Sequence, residues 1–98
     1  MAQFDVYRTA HNQTVIDCQA DLLSHVQSRF VVPLIEPESG LQIVHRLNPA
    51  FEIDGQQLIF FTQYATTMPV SELGRRICSL SDEHYRIMAA LDMLISGI

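Results

Sequence analysis

The segment Phe51-Glu52-Ile53-Asp54-Gly55-Gln56-Gln57-Leu58-Ile59-Phe60-Phe61 decides how this chain folds. Asp54-Gly55 is a preferred pair for a two-residue turn, because both central residues of such a turn take positive φ and its twist matches that of paired strands. The flanking arms are rich in aromatic and β-branched residues, which suit a pleated, half-buried surface. Folding about the turn sets Phe51 opposite Leu58 on one face and Glu52 opposite Gln57 on the other. Antiparallel pairing with one apolar face is the expectation.

Outward toward the N-terminus, Arg29-Phe30-Val31-Val32-Pro33-Leu34-Ile35 is nearly all apolar and reads as a strand covered on both sides. Pro33 has no N–H for a ladder, which predicts a bulge or an edge position. Glu36-Pro37-Glu38-Ser39-Gly40 is turn chemistry, and Leu41-Gln42-Ile43-Val44-His45 reads as a weaker strand ended by Asn48-Pro49. Residues 3–7 alternate as a first strand, 8–14 read as a mobile polar loop, and 15–20 resume a strand. Leu22 and Leu23 cannot both face inward on an extended chain, so either one faces outward or a turn buries both.

Toward the C-terminus, residues 63–68 read as a Thr-rich connection, Pro69 opens a single helical turn over 70–74, and 75–80 lead into a terminal helix. In residues 81–98, Ser81 is placed to cap the helix, with Asp82 and Glu83 against its positive end. Ile87, Met88, Leu91, Leu94, Ile95 and Ile98 recur at the spacing of one helical face, from which Ala89, Ala90 and Met93 fall away. About six or seven short strands and one long helix predict a mainly β fold with α: a small antiparallel barrel carrying a C-terminal helix.

Residues 1–98 are long enough for one domain with a single core. A hydrophobic content of 48% against 17% charged excludes disorder and favours a homo-oligomer, which hides apolar surface that a small chain cannot. The net charge of −5 and the absence of Lys argue against direct nucleic-acid binding, which rests on clustered cations. Cys18 and Cys78 are isolated, no leader pattern opens the chain and no run reaches membrane-spanning length; a cytoplasmic protein with reduced thiols is expected.

The sequence carries little that points to chemistry. His11, His25, His45, His84 and the cysteines show no CxxC, HxxxH or HxH spacing, so no metal or cofactor is expected. Ser81, Asp82 and His84 hold the letters of a triad, but helix capping explains them better. Asp5, Asp17 and Asp21 read as lone, solvated carboxylates. Arg29, His11 and Thr66-Thr67 are the residue types of RNA cleavage, with no spacing that fixes their geometry. A binding surface is what remains.

Gln3-Phe4-x-Val6-Tyr7, Ile16-Asp17-x-Gln19-x-Asp21 followed by two aliphatics, Arg29-x-Val31-Val32-Pro33-Leu34, Met68-Pro69-Val70-Ser71 and Ser96-Gly97-Ile98 together resemble the CcdB toxins of type II toxin–antitoxin modules. The likeness runs end to end and is weakest at 8–14 and 36–48. It implies an SH3-like barrel with a C-terminal helix, a symmetric homodimer and no enzymatic activity. Such a toxin binds the DNA gyrase A subunit, traps the cleaved-DNA complex, and is neutralised by a CcdA-type antitoxin. The resemblance implies gyrase-facing positions at Leu22, Leu23, Asp92, Ile95, Ser96, Gly97 and Ile98, and antitoxin-facing positions at Arg8, His11, Asn12, Asp92 and Ser96. Well-known members carry Trp where Ser96 stands and Asn where Asp92 stands. A Trp there can stack on an arginine for about 0.5–2 kcal/mol, whereas Asp92 can pair with the same arginine through a charge-assisted bond. Two further readings are a MazF- or Kid-like endoribonuclease on the same barrel, against which the acidic pI argues, and an inactive homologue that only binds antitoxin.

Overall fold

The turn at Asp54-Gly55 forms as its sequence predicts. In the computed structural model, which describes residues 2–98, β4 (Ala50–Ile53) and β5 (Gln56–Phe60) pair with Phe51 opposite Leu58 and Glu52 opposite Gln57. Asp54 and Gly55 take φ of 53° and 79°, the two left-handed residues of a tight hairpin turn. Phe51 and Leu58 are buried, Glu52 and Gln57 exposed. Phe51 meets Phe60 edge-on with ring centroids 5.9 Å apart.

β3 (Ser28–Ile35) is the strand that the others gather around. β2 (Thr14–Asp17) lies along one side; along the other, β6 (Thr66–Pro69) pairs as far as Val31 and β5 begins at Leu34. Pro33 therefore sits at no bulge but at a local edge of the ladder, as its missing N–H requires, although β3 itself is an inner strand. It lies opposite Val15 of β2, and its carbonyl accepts the Phe61 N–H at 3.0 Å on the other side. The N and O of a strand residue point the same way, so the absent N–H faces the gap where β6 has stopped and β5 has ended. The change of partner accommodates the proline. β1 (Asp5–Arg8) completes the sheet between β2 and β7 (Arg75–Ser79), with a register shift between Val6 and Tyr7. All pairings are antiparallel, in the order β4-β5-β3-β2-β1-β7 with β6 on β3. The expected small barrel with a C-terminal helix is what the chain forms.

Both faces of the sheet are covered. The larger core joins Phe4, Val6, Ile16, Val32, Phe51 and Phe60 to Ile87, Ala90 and Leu91 of α1 (His84–Ser96). The smaller one holds Tyr7, Val15, Val31 and Leu73.

Several local expectations change. The helix starts at His84, after a 3-10 turn over Ser81–Glu83. Ser81 does not cap it: it lies at the start of that turn, three residues before His84, and Glu83 stands at the cap position without a side-chain cap bond. Ala90 is buried at the centre of the packed face, because a methyl lets the helix lie close to the sheet. Leu94, read as part of the buried stripe, lies outside the core and is exposed. Residues 41–45 form no strand, because Asn48 claims that backbone. Its Oδ1 accepts the Val44 N–H at 2.9 Å, while its Nδ2 donates to Phe60 O at 3.1 Å and Gln63 Oε1 at 2.6 Å. The Thr-rich connection contains a 3-10 turn at Thr62–Tyr64 and the strand β6. Residues 8–14 make a hydrogen-bonded turn, Thr9 N–H on Gln13 O at 2.8 Å and Asn12 N–H on Thr9 O at 3.0 Å.

Cys18 lies in the larger core and Cys78 against it, both as free thiols. Burial, with the nearby Asp17 charge, raises the Cys18 thiol far above its ordinary range; burial also raises Cys78. Below the unfolded pKa of about 8.5 both states keep the proton, and above it only the unfolded chain releases it. Stability to urea should therefore decline as pH rises above about 8.5, by up to roughly 1.4 kcal/mol per pH unit from Cys18. Urea melts at pH 7.5 and 9.5 measure this. Cys18→Ala should flatten the decline, and an unchanged slope would exclude the thiol as its cause.

Candidate functional site

Among the described residues nothing covers the last turn of α1. Ile95 is 79% and Ile98 81% exposed, with Leu94 at 42%. Apolar side chains this exposed at a helix end form a patch that gains by being covered. The backbone beneath is held in one shape: Gly97, at φ 79°, is the left-handed C-cap, and its N–H donates to Met93 O at 3.0 Å. Ser96 Oγ donates to Asp92 O at 2.7 Å, so the serine side chain is turned back onto the helix. The Asp92 carboxylate is exposed, and no basic residue stands in the last turn.

Leu22 and Leu23 lie on the 3-10 turn Asp21–Leu23, 87% and 46% exposed. A turn forms here as one alternative required, but it buries neither leucine. The segment is clamped from below. Asp21 Oδ1 accepts the Gln3 N–H at 2.7 Å, and Gln3 Nε2 donates to Cys18 O at 3.1 Å. Gln19 spans the turn, donating to Leu23 O at 3.1 Å and accepting the Phe30 N–H at 2.9 Å. Under it lies a fully buried ion pair: Arg29 Nε and Nη2 stand 2.9 and 2.8 Å from Asp17 Oδ2, the second too far off line to count as a hydrogen bond. Asp17 Oδ1 takes the Gln19 N–H at 3.0 Å, and Arg29 Nη1 reaches Ser24 O at 3.5 Å.

The sequence reading missed this clamp. Asp5 and Asp17 are buried, not solvated; Asp5 pairs with Arg76 at 3.2 Å and accepts the Ala2 N–H. The available signal was Arg29 itself. An arginine opening a strand that is apolar on both faces must find a carboxylate, because a lone buried charge is too costly.

The turn between β1 and β2 brings Arg8 and Asn12 together, Arg8 Nη1 donating to Asn12 Oδ1 at 3.3 Å, with His11 exposed at its tip. Beside them opens a cavity of about 390 Å³. Among the described residues no hydrogen bond or ion pair joins this turn, the Leu22–Leu23 turn or the helix end to one another. Nor do three or more His, Cys, Asp and Glu side chains gather as a metal ion needs. No described helix is long and apolar enough to cross a membrane. Arg29, buried against Asp17, is out of reach of an RNA phosphate.

Residues 3–97 match the protein-family model described as "CcdB protein". Among solved structures, the chain of Mycobacterium tuberculosis toxin MazF-mt6 matches with a TM-score of 0.75 at 16% sequence identity, over 95% of this chain and 96% of that one. At that identity the likeness speaks for the fold alone.

Proposed function

Because this chain belongs to the CcdB family, we propose that it is the toxin of a toxin–antitoxin module that binds the DNA gyrase A subunit and traps its cleaved-DNA complex. The observation that carries this reading is the uncovered helix end, with Ile95 and Ile98 about four-fifths exposed on a capped backbone. Leu22 and Leu23 supply a second apolar contact, held rigid by the residues beneath. Rigid apolar anchors lose little entropy on binding, which is how a few residues come to dominate an interface. Asp92, Ser96 and Gly97 complete the gyrase-facing end, Asp92 offering a carboxylate to an arginine of the target.

The reading includes a homodimer in the cytoplasm and a CcdA-type antitoxin that covers Arg8, His11, Asn12, Asp92 and Ser96. It includes no catalysis. The decisive experiment is induced expression in cells with wild-type and toxin-resistant gyrase A. Growth arrest confined to the wild type is the expected result, with gyrase-linked DNA breaks in vitro. Intact gyrase turnover at micromolar protein would sink the proposal. Metal-independent cleavage of purified RNA would replace it with the endoribonuclease reading. Antitoxin binding without growth arrest would mark an inactive homologue.

A further inference from the structure

The sheet ends at β7. Its residues pair with β1 along one side, and among the described residues no backbone hydrogen bond reaches them from the other. Such a strand presents outward N–H and C=O groups, a template on which an extended segment can add. At the opposite end of the sheet the edge is partly closed, since Arg86 Nη2 of α1 donates to Ala50 O of β4 at 2.9 Å. β7 opens on Arg75-Arg76 in a chain whose net charge is −5. Arg75 is exposed, makes no ion pair, and stands opposite another cation, Arg8. Arg76 meets Asp5 at 3.2 Å but keeps 55% of its side chain exposed. Neighbouring residues of a strand point to opposite faces, so each face of this edge carries one guanidinium. The start of the strand is pinned, because Gly74, at φ 77°, packs against the Arg8 carbonyl where no Cβ would fit. Beyond the arginines the character changes. Ile77 and Cys78 pack against the larger core, and burial, then the Asp54 charge, raises the Cys78 thiol, so that end already has a carboxylate nearby.

We propose that the free edge of β7 receives an acidic peptide segment as an added strand, with consecutive carboxylates against Arg75 and Arg76 and uncharged residues beside Ile77 and Cys78. Adjacent residues of the incoming strand also point to opposite faces, so two carboxylates in a row meet one guanidinium each. Main-chain bonds to the edge supply affinity, and the two arginines choose the partner. A nucleic-acid backbone fits the edge less well: it has no ladder of N–H groups for the strand's carbonyls, and the net charge of the chain repels it. The register shift between Val6 and Tyr7, like the two charges, is also a device that protects an edge from any addition. The two roles differ in what an acidic strand does. The inference does not depend on the gyrase reading.

The test is an NMR titration of the full ¹⁵N-labelled chain at constant ionic strength. The probe is a short synthetic peptide, blocked at both ends, with two consecutive glutamates followed by alternating valine and threonine. Its controls carry glutamine in place of both glutamates, or N-methyl groups on alternate backbone nitrogens, one control for each set. The expected result is a saturable shift of the amides of residues 75–79, with slower hydrogen exchange in that strand. Whichever alternate set of nitrogens faces the edge, its N-methylated peptide should bind at least about tenfold more weakly, from the loss of the main-chain bonds. The glutamine peptide, and the acidic peptide on the exposed variant Arg75→Gln, should each bind about two- to fivefold more weakly, the share of an exposed ion pair. A linear, non-saturating response overturns the proposal and leaves the charges and the register shift as edge protection. Undiminished binding of both N-methylated peptides also overturns it, because the contact is then charge alone. Equal binding of the glutamine peptide or unchanged affinity in Arg75→Gln overturns the assignment of an acidic partner.

Discussion

Arg29→Met is expected to destabilise the protein by about 3–5 kcal/mol, the cost of leaving one member of a buried ion pair alone. The Asp17 carboxylate would remain fully enclosed, keeping the Gln19 N–H but losing both guanidinium nitrogens on Oδ2. In a domain of this size that corresponds to a fall of more than about 10 °C in Tm. Removing the second charge as well should recover most of the loss, because an apolar pair of similar volume often replaces a buried ion pair at little cost. Thermal melts of Arg29→Met and of the Asp17→Leu/Arg29→Met double variant measure the difference. A single variant that melts within about 2 °C of the parent would show that the pair carries no such weight. The double variant also separates stability from function. It regains the core but not the Arg29 contact to Ser24 O, so Leu22 and Leu23 lose part of their footing. Gyrase binding should stay weaker than the parent's although the fold is restored.

That ion pair marks the boundary of what the sequence reveals. The hairpin at 50–60, its register and the doubly covered β3 follow from local signals: a turn dipeptide, alternation, an apolar run. Each depends on residues within about ten positions of one another. The missed features are pairings over longer range. Asp17 and Arg29 meet because β2 and β3 pair, Asn48 reaches Gln63 across a folded segment, and Ala90 is interior because the sheet arrives beneath it. The helix start moved to His84 because residues Ser81–Glu83 take a 3-10 turn first. For the candidate site, periodicity located the helix end, but Ile95 and Leu94 belong to the same apolar stripe as the buried Ile87 and Leu91. Their burial in the fold separates them, Ile87 and Leu91 lying in the core and Leu94 and Ile95 outside it. The resemblance quoted Gln3, Asp17, Gln19, Asp21 and Arg29 as motif residues; in the structure they support the Leu22–Leu23 turn and need not touch a partner.

Ile95→Ala should reduce affinity for gyrase A at least about thirtyfold, the equivalent of a 2 kcal/mol hot spot, while leaving stability within about 0.5 kcal/mol. The two numbers separate because the Ile95 side chain is exposed: it contributes little to the fold and all of its area is free for a partner. Gly97→Arg should act more severely on binding. A left-handed non-glycine residue costs roughly 1–2 kcal/mol, and here nothing lies within 4 Å of the new Cβ to resist it. Fraying of the last turn is then the cheap response, and the ordered end that presents Ile95 is lost. Ser96→Trp should change affinity in the opposite direction by about 0.5–2 kcal/mol if an arginine of the target lies over the tip. It gives up only the bond from Ser96 Oγ to Asp92 O. Titration of each variant against purified gyrase A, with a thermal melt of the same sample, checks all three. Full affinity in Ile95→Ala with an unchanged melt would mean that the helix end is not the gyrase contact, and would move that role to the exposed Leu22 and Leu23.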